Sequence, residues 1–135
     1  MFNSGDENPF SRRKILLVED DEVALTMYAS ALRMEGFQVR TAPDGLTALR
    51  VAESFDPDVV ILDLRLPMAS GFDVLHDLRA TSLRMPVIAV SGHDPGIEAA
   101  QRDPGFFAAL RKPFDPTELV AMTRRALQHG TALPT

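Results

Sequence analysis

The run VVIL at 59–62 is the most apolar stretch of the chain, and it stops on one carboxylate, Asp63. Four residues are too few for a helix, and three of the four are β-branched, so the run reads as a strand. It is apolar at alternate and intervening positions alike. Both of its faces must therefore be covered, as in a central strand of a parallel sheet. The same reading applies to ILLV at 15–18 and VIAV at 87–90, and less strongly to AAL at 108–110. A fifth segment, FQVRT at 37–41, alternates apolar and polar residues and suits a strand nearer the sheet edge.

Helical periodicity fills the intervals. From Glu22 to Met34, Leu25, Tyr28 and Leu32 share one stripe, and Gly36 marks a stop. Leu46, Leu49 and Ala52 follow Asp44-Gly45, and Phe72, Leu75 and Leu78 follow Gly71. The segment 94–103 is the weakest helix, with Pro95-Gly96 at one end and Pro104-Gly105 beyond the other. The last helix opens with Asp115-Pro116-Thr117-Glu118, a cap residue, a first-turn proline and an acid three residues after the cap. Its buried stripe is Leu119, Thr123, Ala126 and Leu127. Five strand–helix units in alternation predict an α/β fold, a doubly wound five-stranded parallel sheet with right-handed crossovers.

The chain has 135 residues, enough for one domain, and a formal charge of −5. It contains no cysteine, which excludes a disulfide scaffold, a thiolate metal site and a cysteine nucleophile. Net acidity without a basic run makes a poor nucleic-acid or membrane surface. No apolar stretch approaches the ~20 residues of a membrane span, and the N-terminus lacks the apolar core of a secretory signal. The expectation is a soluble cytoplasmic protein. Residues 1–12 read as a flexible leader, 13–128 as the domain and 129–135 as a short tail.

Each apolar run ends in polar groups: Glu19, Asp20 and Asp21 after the first, Asp63 after the third, Ser91 after the fourth, and Arg111, Lys112 and Pro113 after the fifth. Parallel strands bring their C-terminal ends to one sheet edge, where open α/β folds bind ligands. Clustered carboxylates repel, and a divalent cation relieves the repulsion. Mg²⁺ prefers oxygen donors. A lysine and a hydroxyl are the remaining groups suited to phosphoryl oxygens. The chemistry inferred is Mg²⁺-assisted phosphoryl transfer to an aspartate, with Asp63 the best acceptor.

At this point the residues resemble a known family. ILLVEDDE (15–22), VVILDLRLPMASG (59–71), VIAVSG (87–92) and LRKPF (110–114), in this order and spacing, are similar to the receiver domain of two-component response regulators. The resemblance spans about residues 13–128. It implies a flavodoxin-like sheet in the order 2-1-3-4-5. It implies that Glu19 and Asp20 position Mg²⁺, or Mn²⁺ in its place, that Asp63 is both phospho-acceptor and metal ligand, and that the backbone carbonyl of Arg65 completes the metal site. Ser91 resembles the switch hydroxyl, Lys112 the lysine that contacts the phosphoryl group, and Pro113 a proline that often follows through a cis bond. Arg65 and His93 occupy positions from which a side chain influences water reaching an acyl phosphate; an inert loop histidine is the alternative at 93.

The implied partners are a sensor histidine kinase or a histidine phosphotransfer protein, and an unidentified downstream protein, with no direct nucleic-acid or membrane contact. With no output domain after residue 128, the reading is a single-domain regulator; a receiver excised from a larger regulator or hybrid kinase is the alternative. The chain departs from the family at Ala109, where an aromatic is usual, and Phe106 and Phe107 are the rings near enough in sequence to compensate. The interval from Ser91 to Lys112 is also about one residue short.

Other classes fit less well. A phosphatase of the haloacid dehalogenase type carries a second aspartate two residues after its nucleophile, on the first strand; here that position is Arg65, on the third. A flavin or nucleotide binder wants a Gly- or Ser/Thr-rich loop after the first strand, and this one is acidic. A constitutive interaction module stays open because of Ala109. His76 reads as a surface residue, Met27, Met34 and Met122 as packing, and Leu66-Pro67-Met68 as either a docking patch or ordinary cover.

Overall fold

The computed structural model describes residues 8–132. Five strands, β1 (Lys14–Val18), β2 (Gln38–Ala42), β3 (Val59–Asp63), β4 (Val87–Ser91) and β5 (Ala108–Arg111), alternate with five helices, α1 (Glu22–Met34), α2 (Gly45–Phe55), α3 (Gly71–Ala80), α4 (Asp94–Arg102) and α5 (Pro116–Ala132). The strands are parallel throughout, in the order β2-β1-β3-β4-β5. This is the flavodoxin-like arrangement expected.

Runs apolar on both faces serve two separate cores. Ile15, Leu17, Val59, Ile61, Ile88 and Val90 point to one side and meet Tyr28, Leu32, Leu119 and Leu127 of α1 and α5. Leu16, Val18, Val60, Leu62, Val87 and Ala89 point to the other and meet α2, α3 and α4. Burying each such side chain stabilises by roughly 1.5–3 kcal/mol, so the register is held from both faces. Strand starts are also stitched: Asp58 accepts the Lys14 N–H at 2.7 Å and the Arg13 guanidinium at 3.3 Å.

The structure corrects several side-chain expectations. Leu46 is exposed, because α2 buries its small residues, Ala48 and Ala52 in the core beneath the sheet face and Gly45 against Val74 of α3, and turns Leu46 outward. Met27 and Met34 are exposed on α1, whose buried stripe is Tyr28, Ala29 and Leu32, whereas Met122 packs against the core. The segment read as the weakest helix does form α4. Pro95 is tolerated because first-turn N–H groups have no intrahelical acceptor.

Residues 8–12, read as part of a leader, lie against the end of α1. Asn8 Nδ2 donates to the Glu35 carbonyl at 3.1 Å, the Arg12 N–H donates to the Gly36 carbonyl at 2.9 Å, and Phe10 packs on the core. Helix α5 continues through His129 to Ala132. The remainder of the leader and tail, 1–7 and 133–135, lies outside the described residues.

The turn after β3 positions the chemistry. The Leu64 N–H bonds the Val90 carbonyl, and the Gly71 N–H returns to the Leu64 carbonyl at 2.9 Å. Ser70 and Asp73 then cap α3 reciprocally. The return is so tight that a Cβ at 71 would lie 2.8 Å from both the Asp63 carbonyl oxygen and Leu64 Cα. Backbone atoms cannot step aside as a side-chain tip can. Gly71→Ala is expected to destabilise by about 1–3 kcal/mol in urea unfolding, the usual cost of overpacking. Gly92→Ala, whose added methyl meets only Lys112 Cβ at 3.8 Å, should stay within about 0.5 kcal/mol. Equal effects at the two positions would refute this account of the turn.

Candidate functional site

The C-terminal ends of β1, β3, β4 and β5 deliver four groups to one edge of the sheet. The residue after β1 is Glu19, and the last residues of β3 and β4 are Asp63 and Ser91; all three are buried. Lys112 follows β5 immediately and is bound through its backbone N–H to the Ser91 carbonyl at 2.9 Å. The Lys112–Pro113 bond is cis, as the resemblance implies.

The Lys112 ammonium donates to Glu19 Oε1 at 2.5 Å and to Asp63 Oδ2 at 2.9 Å. The second oxygen of each acid is also engaged: Asp63 Oδ1 accepts the Arg65 N–H at 2.9 Å, and Glu19 Oε2 accepts the Asp21 N–H at 3.2 Å. Asp20 stands exposed at the mouth. One carboxylate oxygen from each of Glu19, Asp20 and Asp63 lies within 4.8 Å of the others.

These charges perturb one another. Burial raises the Glu19 carboxyl above its ordinary value, and the neighbouring Asp63 adds to this, while the Lys112 bond opposes it. Burial works against the charge of Lys112, but its bonds to Glu19 and Asp63 outweigh this and raise its pKa. The ammonium is thus held charged between two acids. Ionised together, three carboxylates and one ammonium leave a net charge of about −2, and unit charges ~4.8 Å apart repel by roughly 3–4 kcal/mol at an effective dielectric near 20. A divalent cation on oxygen donors relieves that repulsion. The exposed Asp20 leaves room for the waters that Mg²⁺ retains, so the donor set suits a hard divalent ion.

Glu19, Asp20, Asp63 and Lys112 are thus brought together, with Ser91 on the same edge. Ser91 Oγ accepts the His93 N–H at 3.0 Å. The side chains of Arg65 and His93 are exposed beside the acid cluster rather than within it. Ala109 pairs with Ala89 in the middle of β4. Neither phenylalanine fills its place, because both lie near the other end of the sheet. The Phe107 N–H bonds the carbonyl of Val87, the first residue of β4, whereas Ser91 is the last. Phe106 is buried edge-to-face on Phe72, and the Phe107 ring lies 5.1 Å from that of His129.

Sequence reasoning missed the aromatic floor. Tyr28 stacks on Phe114 at 4.9 Å, two residues after Lys112. Burial raises the Tyr28 hydroxyl pKa, while the charges of Lys112 and Glu19 reach it with opposite signs. The available signal was an aromatic in the LRKPF motif facing the one tyrosine of the chain.

Comparisons with known proteins bear on the family and the fold. The family model described as the response regulator receiver domain matches residues 15–124. The probable transcriptional regulatory protein TcrX of Mycobacterium tuberculosis is 38% identical over 122 residues, covering 90% of this chain and 52% of that protein. The regulatory protein AtoC of Escherichia coli is 35% identical, over 85% of this chain and 25% of its own. The chain therefore spans about half, or less, of the length of these relatives. Among solved structures, a response regulator receiver domain protein from Clostridium thermocellum superposes with a TM-score of 0.82 at 29% identity, covering 90% of this chain and 99% of the other. The chemotaxis response regulator CheY4 of Vibrio cholerae gives 0.77 at 28% identity, covering 87% and 100%. With its fold, its clustered acids and the family match over most of its length, this chain belongs to the response regulator receiver domains of two-component systems.

Proposed function

We propose that this domain is a phosphorylation switch that accepts a phosphoryl group on Asp63 from a sensor histidine kinase or a histidine phosphotransfer protein. The observation that carries this reading is the Lys112 ammonium shared by Asp63 and Glu19, with Asp20 alongside. A carboxylate buried to this degree, 7% exposed in its side chain, is held for chemistry rather than for solvation.

Glu19, Asp20, Asp63 and the backbone carbonyl of Arg65 would hold Mg²⁺, or Mn²⁺ in its place. That ion supplies charge neutralisation, letting an anionic phosphoryl group approach an anionic acceptor. A carboxylate oxygen of Asp63 attacks phosphorus. The P–N bond of the donor phosphohistidine breaks, its electron pair returning to the imidazole, and the product is a mixed anhydride. The Arg65 N–H fixes the orientation of the Asp63 carboxylate. Lys112 is already beside the acceptor and moves its bonds from carboxylate to phosphoryl oxygen, and the Ser91 hydroxyl turns to donate to another. Because the Lys112 N–H holds the Ser91 carbonyl, the two responses are mechanically joined. Arg65 and His93, exposed beside the cleft, modulate the water that later cleaves the anhydride. The domain catalyses at most its own phosphorylation and dephosphorylation.

The output is proposed to be binding of a downstream protein, or relay of the phosphoryl group, by a single-domain regulator in the cytoplasm, without direct contact to nucleic acid or membrane. Several relatives are named as transcriptional or DNA-binding regulators, but the match covers about half of each. Among the described residues no helix is long and apolar enough to cross a membrane.

Incubation with Mg²⁺ and a phosphorylated histidine kinase or acetyl phosphate should give an acid-stable, hydroxylamine-labile adduct, absent from Asp63→Asn. Retention of the adduct in that variant would overturn the assignment. Mg²⁺ alone should raise the melting temperature. At a hundredfold excess over its Kd the linkage amounts to about 2.7 kcal/mol, and Asp20→Asn should remove most of it. An equal rise in Asp20→Asn would exclude Asp20 as a ligand.

A further inference from the structure

Beside the acid cleft, the start of α2 and the loop between β3 and α3 enclose a groove of about 640 Å³. Its apolar lining includes Leu46, Leu49, Pro67, Met68 and Val74. The groove exists because α2 begins on a glycine: a Cβ at 45 would lie 2.8 Å from Val74 Cγ2, so α2 closes on α3 below while its next residue, Leu46, turns out into water. Across the gap Met68 is held fully exposed on a residue with φ of 67°. Two large apolar side chains thus stand as lips above an apolar floor, an arrangement that disfavours solvent and marks a contact surface.

Three acids rim this groove: Asp20, Asp44 and Asp77. No lysine or arginine lines it, and none of the three acids is in an ion pair among the described residues. Asp44 accepts the Thr47 N–H at 2.8 Å, which holds its carboxyl below the ordinary range and keeps it ionised. An apolar floor within an unpaired anionic rim is complementary to an apolar side chain flanked by cations. A small molecule within the cavity would leave the outer faces of Leu46 and Met68 wet, whereas a protein surface covers lips and floor together.

We infer that the groove between α2 and the β3–α3 loop docks a segment of a partner protein that presents an apolar anchor flanked by lysine or arginine. Recognition then follows the helix-in-groove mode, with an amphipathic partner element seating its apolar face and pairing its charges at the rim. Asp20 belongs to both the rim and the acid cluster, so the partner sits against the cleft that holds Asp63.

The test uses the full chain in EDTA, so that the outcome does not depend on whether the acids bind Mg²⁺. The probe is a fluorescein-labelled amphipathic Lys/Leu peptide of 15 residues, compared with a Glu/Leu peptide of the same apolar pattern and a scrambled Lys/Leu sequence. The Lys/Leu peptide should bind at least ten times more tightly than either control, shifting the amide resonances of Leu46, Leu49, Met68 and Val74. The double variant Leu46→Gln/Met68→Gln, altering only exposed side chains, should lose at least tenfold in affinity, and Asp44→Asn/Asp77→Asn should lose several-fold with a flatter salt dependence. Absence of binding, or undiminished binding by the Leu46→Gln/Met68→Gln variant, would overturn the proposal. So would a simple alkylammonium ion that binds as tightly as the peptide and is indifferent to Met68→Gln, because the groove would then be a small-ligand pocket.

Discussion

One ammonium holds together residues that are far apart in the chain. Lys112 reaches Glu19 across 93 positions and Asp63 across 49. Such a contact forms only if β1, β3 and β5 run the same way and end level, which two opposed cores enforce. The contact in turn makes the buried acids tolerable. A carboxylate taken out of water without a partner costs several kcal/mol, and removing one member of a buried pair commonly costs about 3–5. The pairing is therefore poor evidence of added stability. Its value lies in position, because one ammonium fixes an oxygen of Glu19 and an oxygen of Asp63 beside each other at the same sheet edge.

The cleft's net negative charge is the second consequence. Lys112 offsets one of three carboxylates, and Asp20, at the mouth, is in no ion pair among the described residues. The site is compensated enough to fold and uncompensated enough to attract a divalent ion. A second lysine in the cleft would halve that charge, and the absence of Lys112 would leave Glu19 and Asp63 repelling each other in a low-dielectric setting. The tight turn at Gly71 adds a geometric limit, because it holds the segment after Asp63 close enough for the Arg65 N–H to fix the Asp63 carboxylate.

Most of the fold was legible because its strands are continuously apolar, a pattern that survives without tertiary information. The site was legible for a related reason: four of the five strands end on a polar residue or run directly into one, and parallel order makes strand ends into neighbours. Helix faces were harder to read. Leu46 has the spacing of a buried residue, yet the small residues Gly45, Ala48 and Ala52 are the ones buried, and they set the rotation of the helix. Hydrophobicity alone does not tell which of two adjacent stripes goes inward when one of them is small. Asn8–Arg12 looked solvated from composition, but the Asn8 side-chain amide and the Arg12 N–H find acceptors at the end of α1, a long-range match that polar residues do not advertise. The stacking of Tyr28 on Phe114 was hidden likewise, since each ring reads as ordinary core.

Ala109 bears on how a change at Ser91 can spread. Phe106 and Phe107 are committed elsewhere, the first to Phe72 and the second to His129. What touches Ser91 is backbone: its carbonyl accepts the Lys112 N–H, and its hydroxyl accepts the His93 N–H at the start of α4. Helix α4 is lightly held. It buries only Ile97 and Ala100, and its cap residue His93 makes no side-chain bond to the first turn. The exposed Arg111–Asp94 pair at 2.8 Å contributes little, as surface ion pairs do. Elements with few buried contacts move at the lowest free-energy cost. A proposed turn of the Ser91 hydroxyl toward a phosphoryl group would act directly on the oxygen that accepts the His93 N–H. On the proposed switching role of Ser91, the first segment reached would be the entrance to α4, through the His93 N–H.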